Sequence, residues 1–145
     1  MSVDSGLSIR LEAIEASGSN HALVLKELVD FGWSAVDHGQ VVYLPLHDGG
    51  RYDWTHCAPG DASVAWDTIR RKAEGSERLG LMLMWGATNV GGPFLVEADL
   101  TVLVSFSSER RETGPGVTDV TWYLERIVPA LRRRWTIRSS SWSEA

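Results

Sequence analysis

The chain is poor in cysteine, in lysine and in long apolar runs, and each shortage removes a class of protein. Cys57 is the only cysteine, so no internal disulfide can form and no zinc site with two or more thiolates can be built. That usage fits a reducing compartment. The longest apolar run, Leu81–Trp85, is far too short for a helix that must cross about 30 Å of hydrocarbon, so no membrane partner is expected. The start, Met-Ser-Val-Asp-Ser-Gly, has neither the basic opening nor the apolar stretch of a secretory signal. Cytoplasm is the expected location. Arginine outnumbers lysine 12 to 2, a bias that suits a GC-rich bacterial genome better than any function.

What is present is an ordinary globular composition. The 145 residues are 43% hydrophobic and 23% charged, which predicts a single domain over 1–145 with its own core, frayed at 1–6 and 139–145. Net charge is −5, unevenly spread: residues 1–67 carry −7 and residues 68–145 carry +2. The acidic half repels nucleic acid and favours a basic partner by long-range steering.

Periodicity predicts the elements. Leu7, Ile9, Leu11 and Ala13 alternate with Ser8, Arg10 and Glu12 as a strand does. Ser19 or Asn20 then caps a helix with the stripe Ala22, Leu25, Leu28 and Val29, ended by Gly32. Trp33–Val36 and Val41–Leu46 flank Asp37-His38-Gly39-Gln40 and read as a hairpin. His47–Gly60 reads as a loop, and Asp61 as the cap of a helix buried through Ala62, Ala65, Trp66, Ile69 and Ala73. Leu79–Trp85 reads as a central strand, Gly86–Pro93 as a glycine-rich loop, and Phe94–Phe106, alternating throughout, as one long strand. After a turn at Gly114-Pro115-Gly116, Thr118 or Asp119 caps a third helix with the stripe Val120, Tyr123, Leu124, Ile127 and Leu131. Pro129 predicts a kink or an early end there. Trp135–Trp142 is the last strand.

The order β-α-β-β-α-β-β-α-β predicts a two-layer α+β domain, with three helices on a mixed, mostly antiparallel sheet. Its first six elements match the order of a ferredoxin-like fold.

Chemistry concentrates in the His47–Cys57 loop. His47, Asp53 and His56 offer the ligand types zinc accepts, with Asp48 and Cys57 beside them, but the spacing fits no metal motif, so neither a metal nor a cofactor is expected. A cysteine nucleophile at Cys57 needs a base, which His38, His47 or His21 would have to supply. Gly86–Gly92 lacks the Gly-Lys-Ser/Thr of a phosphate-binding loop and leads into a strand, not a helix. Arg132-Arg133-Arg134, with Arg126 and Arg138, could form a nucleic-acid patch, but cations in a last helical turn also complement the helix dipole.

Trp54 stands between Asp53 and Thr55 with no stripe to join. It either folds back as a lid on the core or forms an acidic, aromatic face with Asp48, Tyr52, Asp53, Asp61 and Asp67. Without a catalytic motif, the expected function is a non-catalytic module that binds a basic protein. This is the manner in which acidic immunity and antitoxin proteins cover a basic toxin, an analogy of type that no family motif carries. The alternative is a small metal-dependent enzyme or ligand-binding domain using the His47–Cys57 loop. A homodimer through an exposed edge strand is compatible with either.

Overall fold

A computed structural model describes residues 5–144. The alternating segment at the start forms β1 (Ser5–Ala13), and the first helix, α1, spans Ala22–Phe31. The N-cap position of α1 is His21, which makes no side-chain capping bond, and Asn20, one residue earlier, accepts the Ala22 N–H at 3.0 Å. There follow β2 (Trp33–Ser34), β3 (Val41–Tyr43), β4 (Thr55–Cys57), α2 (Ala62–Glu74), β5 (Leu79–Trp85), β6 (Gly91–Val96) and β7 (Thr101–Ser105). A small hairpin of β8 (Glu112–Gly114) and β9 (Val117–Thr118) leads into α3 (Val120–Leu131) and β10 (Trp135–Glu144).

The main sheet has eight strands in the order β10-β1-β7-β6-β5-β3-β4, with β2 also on β5, and every pair found in it is antiparallel. The chain is thus an α+β fold with an open antiparallel sheet. The ferredoxin-like order does not hold for the first part, because that arrangement is a split βαβ built on parallel neighbours. Here β1 lies between β7 and β10, antiparallel to both.

One face of the sheet carries the core. Leu7, Ile9 and Leu11, with Leu79, Leu81, Leu83, Phe94, Val96, Val102 and Val104, form one buried cluster with Leu25 and Leu28 of α1, Ala65 and Ile69 of α2, and Tyr123, Ile127 and Leu131 of α3. All three helices therefore cover the same face, as their sequence stripes require. The other face presents Ser8, Arg10, Glu12, Thr101, Leu103 and Ser105 at least partly to solvent.

Several expected boundaries move, each for a physical reason. Phe94–Phe106 is two strands, β6 and β7, joined by a tight turn in which Leu100 has φ +70° and the Glu97 N–H donates to the Thr101 carbonyl at 2.9 Å. Val96 faces Val102 across the hairpin, so the even-numbered residues of both strands share the buried face and Leu100 is buried with them, while Ala98 in the turn is exposed. The alternation in the sequence therefore runs on through the turn. β2 and β3 do not form a hairpin; both lie along β5, at Trp85 and Leu81, and only Asp37 and Gln40 bridge the turn between them. Gly91 and Gly92 belong to β6, not to the loop before it. A Cβ there would stand 2.0 Å from the Leu83 and Ser105 carbonyl oxygens, so the backbones meet where only glycine fits. Asp61 makes no side-chain capping bond, because Pro59–Asp61 form a 3₁₀ turn that opens α2 instead. Asp119 does cap α3, accepting the Trp122 N–H at 3.2 Å. That helix runs two residues past Pro129. The proline leaves the Glu125 carbonyl without its helical donor, but both residues are exposed and water can serve it. The expected fraying at 139–145 is replaced through Glu144 by β10, which pairs with β1 up to Ser5–Glu144; residues 1–4 and 145 lie outside the described residues.

Candidate functional site

The segment between β3 and β4 is long and polar, yet it is tied down at every turn. Asp48 follows His47 and precedes Gly49-Gly50, a sequence in which a short acidic side chain can bond its own backbone. Its carboxylate is buried and accepts the Tyr52 N–H at 3.0 Å and the Asp53 N–H at 2.8 Å. Around it the backbone takes left-handed angles at His47 (φ +59°), Gly49, Gly50 and Tyr52 (φ +56°). Two of these are not glycine, and such positions persist only where the surroundings over-determine them.

Three further contacts fix the loop. Lys72 stands on the buried stripe of α2 with its side chain 1% exposed, and its ammonium donates to the Pro45 carbonyl at 2.6 Å and to Glu77 at 3.2 Å. Glu77 also accepts the His47 N–H at 2.8 Å. Burial alone would raise the Glu77 pKa, but the bonds from His47 and Lys72 outweigh it and hold the carboxyl below its usual value. The Arg78 guanidinium lies over the Tyr52 ring, 5.2 Å from its centroid, and hydrogen-bonds the Tyr52 hydroxyl and Glu97. Between Asp48, Gly49, Gly50, Lys72, Glu77 and Arg78 remains a cleft of about 170 Å³.

Trp54 closes the loop from the other side. A Cβ on Gly80 would fall 2.9 Å from the Trp54 ring and 2.6 Å from Leu44, so both side chains lie directly on the Gly80 backbone. Gly80 points away from Leu79 and Leu81, which puts Trp54 on the face opposite the helices. Trp54 is half-buried there against Leu44 and the Gly80 backbone, so it covers this outer face of the sheet and not the core on the helix side.

The six expected binding residues are therefore split. Tyr52, 44% exposed, and Asp53 stand outward on the loop. Asp48 faces inward as a fastening. Asp61 and Asp67 belong to the start of α2, across the sheet from Trp54, and Asp67 is exposed and paired with Arg70 at 2.7 Å, which lowers its pKa. The residues missed by periodicity are Lys72, Glu77 and Arg78. Lys72 had a signal: it follows Ala65 and Ile69 at helical spacing, on a stripe where a lysine must find partners.

The other candidates are dispersed. Among the described residues no three His, Cys, Asp or Glu side chains converge on a point that could hold a metal ion. His47 faces Glu77 at 3.4 Å, and His56 is exposed on β4 opposite Val42. The Cys57 thiol donates to the Asp61 carbonyl at 3.5 Å. The bases it would need are elsewhere: His21 donates to the Glu77 carbonyl at 2.7 Å and His38 pairs with Asp37. Of the arginines near the last helix, Arg134 pairs with Glu27 and Arg138 with Glu12, each at 2.7 Å. Arg126 stacks between Trp122 and Trp85, 4.1 Å and 5.4 Å from their ring centroids. These contacts account for three of the five cations within the fold.

Fold and loop together define a small α+β domain that holds a buttressed, outward-facing loop at one edge of its sheet. No protein-family model matches the chain, and neither does a curated protein or a solved structure.

Proposed function

We propose that the domain is a non-catalytic protein-binding module, and that the His47–Trp54 loop presents Tyr52 and Asp53 to a basic partner. The observation that carries this reading is the buried Asp48 carboxylate, whose two backbone hydrogen bonds hold Tyr52 in a left-handed conformation. A loop already fixed in one shape loses little conformational freedom on binding, so contact energy is not consumed in ordering it. A half-exposed tyrosine supported by a guanidinium is a rigid, amphipathic anchor of the kind that dominates interface energies. The net charge of −5, with −7 in residues 1–67, favours a basic partner and speeds the encounter with it. In type this is the way an acidic immunity or antitoxin protein covers a basic toxin.

The test is capture from the host lysate at low and high salt, followed by affinity measurement with the recovered partner. Tyr52→Ala should weaken binding by roughly 30-fold or more, the loss expected of a central aromatic anchor. Asp53→Lys should slow association and flatten its salt dependence, while both variants melt close to the parent. Undiminished affinity in both variants would remove the loop from the interface.

A further inference from the structure

The two edges of the sheet are unlike. β4 at one edge has three residues and is followed closely by Pro59, whereas β10 at the other runs for ten residues and pairs only with β1. Among the described residues nothing pairs with the outer side of β10. An edge of that length is a template for another strand, and folded proteins blunt theirs with short strands, prolines, bulges or charges. β10 has no proline. Its one register shift lies at Arg138, opposite Arg10 and Leu11, and its only charges are Arg138 and Glu144. Between them, Ser139-Ser140-Ser141-Trp142-Ser143 is uncharged and regular in register against β1.

From this we infer that β10 pairs antiparallel with β10 of a second copy of this chain, about a two-fold axis at Ser141, joining two eight-stranded sheets into one. Charge favours this occupant and this register, because only an axis at Ser141 sets the strand's two charges against each other. With the axis at Ser141, Ser139 lies opposite Ser143 of the copy, and Arg138, which also pairs with Glu12, lies opposite Glu144 of the copy, which in its own chain accepts from Thr118 and lies beside Arg110. The strand is then complementary to itself, with no like charges facing. An axis at Arg138 or at Glu144 would instead set like charges directly against each other, which is unfavourable. Pairing of identical strands about a two-fold also closes after two copies and does not propagate as a filament. The surface lies at the opposite edge of the sheet from the His47–Trp54 loop, so self-pairing and partner binding stand or fall separately.

Sedimentation of the full chain over a concentration series tests the inference. The parent mass should rise with concentration from 16.0 kDa towards twice that value. S139E/S143E sets two like-charge pairs across the axis and should weaken self-association about tenfold, whereas S139K/S143E sets two opposite-charge pairs and should strengthen it by a similar factor. Melting curves show whether both variants remain folded. A mass of 16.0 kDa at every concentration overturns the inference. So does a dimer whose affinity moves in the same direction in both variants, or in neither.

Discussion

Replacing Asp48 by alanine removes the one acceptor that holds the Tyr52 and Asp53 amides, at 3.0 Å and 2.8 Å. A hydrogen bond to a charged group contributes about 1.5–3 kcal/mol, and both residues are exposed enough for water to replace the lost acceptor. The lower figure applies, which gives about 3 kcal/mol for the pair. The left-handed Tyr52 then has no reason to stay at φ +56°, and its relaxation returns about 1 kcal/mol. The expected net loss is therefore about 2 kcal/mol, or about 4–8 °C in melting temperature for a chain of this size. Asp48→Asn keeps one acceptor oxygen and turns an amino group towards the second N–H, so it should fall between the parent and the alanine variant. Thermal denaturation measures the global part, and hydrogen exchange resolved at single amides measures the local part. Exchange at the Tyr52 and Asp53 amides should accelerate in both variants, more in the alanine variant. Amides that exchange as slowly as in the parent, with an unchanged melting temperature, would refute the reasoning that the carboxylate organises the loop.

Trp54→Ala should cost about 2–3 kcal/mol, since a half-buried tryptophan covers roughly 100 Å² of apolar surface; a melting temperature equal to the parent's would return Trp54 to the displayed face. Gly91→Ala places a Cβ 2.0 Å from the Leu83 carbonyl oxygen, so the β5–β6 ladder must part and the loss should reach about 4 kcal/mol or more, read as a collapse of soluble yield or of the melting temperature. Glu144 accepts from the Thr118 hydroxyl and N–H and lies beside Arg110, which lowers its pKa below the ordinary 4.5. A depressed carboxyl stabilises the folded state above its unfolded pKa, and that contribution disappears as pH falls below about 4.5 through the folded value. Acid titration should therefore loosen the contact between β9 and the end of β10 first in that window, and Glu144→Gln should remove the pH dependence of the Thr118 amide shift.

Helices were the most legible part of the fold, because their stripes need only local information. The positions read as buried on α1, α2 and α3 include Leu25, Leu28, Ala65, Ile69, Tyr123, Ile127 and Leu131, and all seven are in the core. Strands were legible as strands but not as partners. Nothing local to Trp33 says that it lies beside Trp85 and not beside β3, and nothing local to β1 says that β7 and β10 flank it. The hairpin at Glu97–Leu100 was hidden for a sharper reason. Its turn keeps the two-residue period in phase, so a pattern that identifies strands cannot reveal where one ends. The turn carried no glycine to mark it, because Leu100 itself takes the left-handed position and buries its side chain there.

In the loop, composition predicts display for every acidic residue, whereas Asp48 turns inward. Acidic residues in a polar segment look like a charged surface, and the chain does carry −5, but a carboxylate next to two glycines is also the acceptor that a tight loop needs most. Asp48 bonds residues four and five positions on, so this part was within reach of local reasoning. The Trp54 contact was not, since it depends on Gly80 lying 26 residues further along and on the absence of a side chain there. On the proposed function, the same dependence is what would suit the loop to binding. A segment fastened by Lys72 and Glu77 from α2 and the turn after it, and by Gly80 within the central strand, inherits the rigidity of the sheet. Tyr52 and Asp53 are thus held in place by the fold as a whole, and if the loop binds as proposed, a substitution as distant as Lys72→Met should change partner affinity through the loop's order while touching neither residue.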